Sequence, residues 1–182
     1  MSQCVFIKKK SSLLSMSKTI ITESGMHFPY EEGQCFHIEK SAVYSKMQGV
    51  KIAEFLLVKY SKVLVIEAKS SSPSPHNKIN FDDFIQEIHE KLLNAFSLSV
   101  AIFLNRHSLE NDTLPNEFQN LELSHTDFLL LLIINGHKTE WLEPIQYELK
   151  KSLHSTVKTW ALSPNSVVVM NDEIAREKGL IQ

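Results

Sequence analysis

Residues 49–70 read GVKIAEFLLVKYSKVLVIEAKS, and this stretch decides the fold. Two runs rich in Val, Ile, Leu and Phe, at 52–58 and 63–69, flank the polar Lys59-Tyr60-Ser61-Lys62, the pattern of strand, turn and strand. With that connection as the loop, Val58 faces Val63, and counting outward places Glu54 opposite Glu67. Side chains alternate along a strand, so Glu54, Leu56 and Val58 share a face with Val63, Val65, Glu67 and Lys69. Two carboxylates and one ammonium group then converge among apolar neighbours. Facing like charges destabilise a strand pair, and carboxylates are costly to desolvate unless a cation sits between them. Such a conflict between charge and burial marks a site.

An acid followed by Glu-Ala-Lys at the end of the next strand resembles the PD-(D/E)XK nuclease superfamily, also called the restriction-endonuclease-like fold. Glu54 matches the first acid, Glu67 the second and Lys69 the lysine, with Ala53-Glu54 standing where Pro-Asp is expected. The resemblance covers the expected order of elements from about Phe36 to Met170. It implies an α/β fold: a restriction-endonuclease-like core with a central mixed β-sheet flanked by α-helices. It also implies an endonuclease cofactor, Mg²⁺ or Mn²⁺, held by Glu54, Glu67 and the backbone carbonyl of Ala68. Hard divalent cations prefer such oxygen donors and keep several waters. Lys69 would orient the attacking water or neutralise developing charge. The helix before the hairpin often supplies another acid in that family, which makes Glu39 a candidate; the alternative is a solvent-facing glutamate. Gln86 lies where the family often carries a glutamine or lysine supporting the active-site lysine or the water, the alternative being a surface glutamine. The implied substrate is nucleic acid, DNA before RNA, and the implied assembly is a homodimer or a subunit of a larger complex.

A length of 182 residues fits one domain over 1–182 with a sizeable core. Hydrophobic residues at 43% and charged residues at 22% are ordinary globular values, which excludes general disorder. A formal net charge of -2 means that any contact with nucleic acid must come from a local patch. Cys4 and Cys35 have no metal-ligand spacing and form no disulfide framework, so a reducing, cytoplasmic setting is expected. No secretory leader is read in the first fifteen residues. The apolar run 128–134 is too short to cross a bilayer, and no membrane association is expected. Residues 1–35 read as a poorly defined N-terminal extension, with short strands at 5–8 and 19–22, a solvated Lys8-Lys9-Lys10 connection and a Glu31-Glu32-Gly33 turn.

A helix is expected over 36–47, ending before Gly49. After Lys69, Pro73 and Pro75 cannot continue a strand ladder, so residues 70–77 form a loop beside the site, either substrate-contacting or a plain connection. His76 and Lys78 in or next to it are candidate phosphate contacts. Asn80 reads as the N-cap of a long helix reaching 104, whose Phe81, Phe84, Ile85, Ile88, Leu92, Ala95 and Phe96 face the sheet. His89 lacks a second ligand at metal spacing and reads as a boundary histidine. Residues 106–122 read as a polar surface excursion. Residues 127–135 are nearly all apolar, the signature of a strand buried on both faces and parallel to an earlier one. A helix opening at Pro144 carries a core stripe of Ile145, Leu149, Leu153, Val157 and Trp160. On its other face Lys150, His154 and Lys158 form either a solvated row or a nucleic-acid-binding patch. A strand at 167–170 and a helix at 172–178 stopped by Gly179 complete the chain. Gly-rich phosphate loops, G-x-S-x-G and Cys-x-x-Cys are absent from the sequence. Metal-dependent phosphodiester hydrolysis is the function that the resemblance implies. The alternatives are a catalytically inactive module of this fold that binds nucleic acid or a protein, and a purely structural core in which Glu54 pairs with a lysine such as Lys69 and binds nothing.

Overall fold

A computed structural model describes residues 18–107 and 114–182. The strand read at 5–8, the lysine connection and Cys4 lie outside the described residues. The strands run, in chain order, β1 (Thr19–Glu23), β2 (Met26–Tyr30), β3 (Cys35–Phe36), β4 (Phe55–Lys59), β5 (Lys62–Lys69), β6 (Asp127–Ile134) and β7 (Val167–Asn171). The helices are α1 (Lys78–Phe103), α2 (Asn116–Gln119), α3 (Leu142–Ser152), α4 (His154–Thr159) and α5 (Asp172–Glu177). The protein is a mixed α/β structure with a five-stranded sheet in the order β3-β4-β5-β6-β7 and a two-stranded β1-β2 sheet.

The hairpin at the centre pairs Val58 with Val63 and Phe55 with Ile66, the register that counting predicts. Its turn is the two residues Tyr60 and Ser61, both left-handed at φ 54° and 57°, a twist that matches the flanking strands. The tip is tied to the C-terminal segment: the Tyr60 hydroxyl donates to the Lys178 carbonyl at 2.8 Å and Lys59 Nζ to that of Gly179. β3, β4 and β5 run antiparallel, whereas β5, β6 and β7 are parallel. A doubly buried central sheet explains the unbroken apolar run in β6.

The two faces of that sheet carry different layers. Leu56, Val58, Val63, Val65, Leu130, Leu132 and Val169 pack under α1 and α3, against Ile88, Leu92, Phe96, Ile145 and Leu149. Phe55, Leu57, Leu64, Ile66, Leu131 and Ile133 pack against Ile21, Met26 and Phe28 of the β1-β2 hairpin, Ala175 of α5 and the terminal Leu180 and Ile181. Residues 19–30, part of the stretch read as an ill-defined extension, thus help close one face. Their Ser24-Gly25 turn sits on the ends of β5 and β6. The Ser24 hydroxyl donates to the Ala68 carbonyl at 3.0 Å, and Asn135 Nδ2 donates to the Ser24 carbonyl at 2.9 Å. A Cβ on Gly25, at φ 76°, would come within 2.9 Å of that Asn135 nitrogen, so the close approach requires glycine.

Several boundaries differ from the sequence reading. The expected helix over 36–47 is replaced by β3 and two 3₁₀ turns, Ile38–Lys40 and Tyr44–Lys46. Ser41 between them donates its hydroxyl to the Ile38 carbonyl and accepts the Tyr44 N–H, a local bonding that competes with helix continuation. The cap of α1 is Asn77, whose side chain accepts the Asn80 N–H, not Asn80 itself. Residues 116–119 are not a pure surface excursion, since Phe118 is buried against Phe36 and Phe103. The helix from Pro144 breaks at Leu153, leaving Trp160 half exposed with its ring edge-on to Phe96. Among the described residues no helix is long and apolar enough to cross a membrane.

Candidate active site

The site lies at the C-terminal end of β5, under α1. The strand β4 stops at Phe55 because residues before it lean onto the helix. The Ala53 N–H donates to the Lys91 carbonyl at 3.2 Å, and Asn94 Nδ2 donates to the Lys51 carbonyl at 2.9 Å. Glu54 is therefore the first residue beyond the ladder, one step past the Phe55–Ile66 pair and beside Glu67. Glu67 itself stands on β5 opposite Leu132 of β6 and is completely buried.

Two lysines meet Glu67 at the same oxygen. Lys91 Nζ donates to Oε1 at 2.8 Å, and Lys69 Nζ lies 3.2 Å from it. The second oxygen, Oε2, is buried with no hydrogen-bond partner, a costly state for a carboxylate. Lys91 also stands 3.8 Å from Glu54 Oε1, and Lys69 Nζ donates to Glu87 Oε1 of α1 at 2.7 Å. Glu39, on the first 3₁₀ turn, hydrogen-bonds to the Glu54 carboxyl. Glu39, Glu54, Glu67 and Glu87 thus share one locality with Lys69 and Lys91.

The electrostatics follow from that crowding. Burial, the hydrogen bond that protonated Glu54 donates to Glu39 and the negative charges of Glu67 and Glu39 push the Glu54 carboxyl up to about 8, with Lys91 opposing. Burial also raises Glu67, against the pull of Lys91 and Lys69. Burial works to lower Lys69, but its bonds to Glu87 and Glu67 outweigh it and hold the ammonium group above the usual lysine range. A lysine so placed stays protonated at neutral pH, which suits it to neutralise charge or orient a water rather than to act as a base. The hydrogen bond from Lys69 lowers Glu87.

The residues expected from sequence fall into two groups. Glu39, Glu54, Glu67 and Lys69 come together, with the Ala68 carbonyl at the same strand end, where it accepts the Ser24 hydroxyl. Gln86 does not join them: it faces solvent and donates to Glu90 at 2.8 Å. Lys78 is exposed and bonded to Asp82, while His76 lines a pocket beyond the site. Lys150, His154 and Lys158 border a separate shallow concavity on α3 and α4. Cys35 is a free buried thiol, and burial pushes it up to about 12. Sequence reasoning missed Glu87 and Lys91. A signal was present in Lys91, which interrupts the apolar stripe of α1 between Ile88 and Leu92.

Among the described residues no three His, Cys, Asp or Glu side chains are arranged to hold a metal ion by themselves. The donor chemistry nevertheless suits a hard divalent cation: two carboxylates and a backbone carbonyl, one buried carboxylate oxygen without a partner, and a repelled neighbour at Glu54. The Lys91 ammonium group lies between Glu67 and Glu54. No protein-family model, curated protein or solved structure matches this chain.

Proposed function

We propose that the chain is a metal-dependent nuclease of the restriction-endonuclease-like type that hydrolyses phosphodiester bonds, DNA before RNA. The observation carrying this reading is Glu67: a fully buried carboxylate with one free oxygen, between Lys69 and a second carboxylate pushed up to about 8. A purely structural ion pair gains nothing from an unbonded buried oxygen and a repelled glutamate. Glu54 and Glu67, with the Ala68 carbonyl, are the groups that would hold Mg²⁺ or Mn²⁺, and Glu39 would back Glu54. When bound, such an ion supplies Lewis-acid polarisation of the phosphate and a more acidic water. Lys69, protonated and aimed from the same strand face, stabilises the charge that develops on the phosphoryl oxygens. Glu87 fixes the Lys69 ammonium group, limiting the rotamers it must freeze in the transition state.

One observation favours a second reading, a nuclease-fold module without activity: Lys91 binds both Glu67 and Glu54, so an ammonium group already occupies the place of the cation. Cleavage of single- and double-stranded DNA and RNA with Mg²⁺, Mn²⁺ or EDTA separates the two. Wild type should cleave only with divalent metal, and Glu67→Gln and Lys69→Ala should lose at least about a hundredfold in rate, the scale for removing a transition-state charge donor. Gln is the right replacement at 67, because full burial means Ala would leave a cavity and confound activity with folding. Equal cleavage by wild type and either variant would remove these residues from the reaction.

A further inference from the structure

Immediately beyond Lys69 the chain enters residues 70–76, which form one wall of a pocket of about 590 Å³ outside the ends of β5 and β6. Asn135, His137 and Trp141, from the connection between β6 and α3, form the facing wall, with Pro144 and Ile145 of α3 below. Crevices at the carboxyl ends of parallel strands are the usual ligand positions in open α/β sheets, and this volume is that of a small-ligand site.

The facing wall is built rather than loose. Gly136 N–H donates to Asp172 Oδ1 at 2.7 Å, and Asn171 Nδ2 donates to the His137 carbonyl at 2.8 Å and to Thr139 Oγ1 at 3.2 Å. These bonds fix Trp141, whose indole meets the His137 ring edge-on at 5.6 Å and Lys138 Nζ at 4.8 Å from its centroid. Trp141 is nonetheless 49% exposed. Opposite it stand Pro73 and Pro75, and between the walls Ser72 Oγ lies 3.4 Å from His137 Nε2. Burial lowers His137, against a hydrogen bond to the Trp141 backbone, so its ring is neutral near pH 7 and offers both a donor and an acceptor.

A half-exposed indole, apolar ring surfaces and a few hydroxyl, amide and imidazole groups suit a flat heteroaromatic ring with polar edges, and the one carboxylate of the lining, Glu140, is paired with Lys138 at 4.0 Å. The hydroxyls of Ser70, Ser71, Ser72 and Ser74 along one wall suit that ring's phosphate, and Lys69, whose ammonium group is held by Glu67 and Glu87, directly precedes that wall in the chain. We propose that this pocket receives one unpaired nucleotide of a single-stranded or locally opened nucleic acid, its base against Trp141 and its phosphate toward Lys69. The inference rests on the phosphodiesterase reading for its orientation, and it narrows the substrate: the pocket has room for one nucleotide, not for a base pair still stacked in a duplex.

The test uses the full chain in EDTA, so that binding is read without cleavage. In a Trp160→Phe background Trp141 is the only tryptophan of the chain's two, and its fluorescence reports the pocket directly. Short oligothymidylate and oligouridylate probe the two sugars, and oligothymidylate annealed to its complement probes the duplex. Single strands should quench Trp141 saturably. Trp141→Ala should weaken single-strand affinity, read by anisotropy of labelled oligomer, by roughly 10- to 100-fold, the range of one lost base–aromatic stack. Trp141→Phe should restore part of it. Absence of quenching, Trp141→Ala affinity equal to wild type with an unchanged melting curve, or equal quenching by the duplex would each overturn the proposal. Cleavage is scored separately with Mg²⁺. Divalent-dependent cleavage with a silent Trp141 overturns the pocket alone, and quenching without any cleavage upholds the pocket while overturning the nuclease reading.

Discussion

Replacing Glu54 by Gln separates a charge-strained site from a settled ion pair. The Glu54 carboxyl, ordinarily at 4.5, is pushed up to about 8 by burial, by Glu39 and by the charge of Glu67. Between those values the folded protein holds a proton that the unfolded chain has released. Stability is therefore fully present below about pH 4.5 and declines as the pH rises through 8. Each pH unit between the two values is worth about 1.4 kcal/mol, so the whole window has a ceiling of about 5 kcal/mol. The Glu54 side chain is 16% exposed and Lys91 Nζ lies 3.8 Å from it, and effective dielectric constants even at buried sites are well above the dry-protein value. The realistic decline is roughly 2–3 kcal/mol.

The amide of Glu54→Gln imitates the protonated acid, keeps a donor for Glu39 and cannot ionise. The variant should match wild type near pH 5 and exceed it by roughly 2–3 kcal/mol near pH 8.5. Urea unfolding followed by circular dichroism in EDTA, from pH 5 to 9, measures both curves. Adding Mg²⁺ or Mn²⁺ should raise the wild-type melting temperature, since a ligand that binds only the folded state stabilises it. The variant should gain little. A Glu54→Gln protein destabilised by roughly 3–5 kcal/mol at every pH, with neither protein responding to metal, would refute the reasoning and leave Glu54 as the structural partner of Lys91.

Lys91→Met leaves buried Glu67 with Lys69 as its remaining cation, so urea unfolding should show a loss of roughly 3 kcal/mol, the low end for a broken buried pair; Mg²⁺ should restore more stability to this variant than it adds to wild type. Replacing Lys150 and Lys158 together by Ala should lower the salt slope of nucleic-acid binding by about two counterions if that exposed row touches phosphates. An unchanged slope in a salt titration of anisotropy would make the row a solvated helix face.

The hairpin was legible because its information is local. Two apolar runs within 52–69 and the polar four-residue break between them specify strands, register and shared face at once, and Val58↔Val63 follows from the count. The adjacency of Glu54 and Glu67 came with it. The end of β4 was not legible, because it is set by a bond from Ala53 to the Lys91 carbonyl, 38 positions along the chain. The segment 36–47 has helical apolar spacing, yet Ser41 and the pairing of Phe36 with Leu56 override it. The supporting residues of the site depended on the rotational phase of α1, which the apolar stripe defines only coarsely. Gln86 and Glu87 are one residue apart, about a hundred degrees around the helix, and packing turns Glu87 toward Lys69 and Gln86 to solvent.

The acids of the site outnumber its cations: Glu39, Glu54, Glu67 and Glu87 against Lys69 and Lys91. Burial makes that excess expensive, and the metal-free protein relieves it by keeping a proton on Glu54. A divalent cation would relieve the same excess, so proton and metal compete for one carboxylate. Binding must then expel the proton wherever Glu54 still holds it. Isothermal titration of Mn²⁺ at about pH 5.5, in two buffers of different ionisation enthalpy, should report net proton release on binding, falling toward zero by about pH 9. The apparent affinity should rise with pH, by up to about tenfold per unit, while Glu54 still holds its proton, and level off once it is ionised. Lys91→Met, which removes the ammonium group that holds the Glu54 carboxyl down, should move that levelling point to higher pH. Tight binding with no proton released at about pH 5.5 would place the metal elsewhere than on Glu54, and would turn the adjacency of Glu54 and Glu67 from a ligand set into a packing accident.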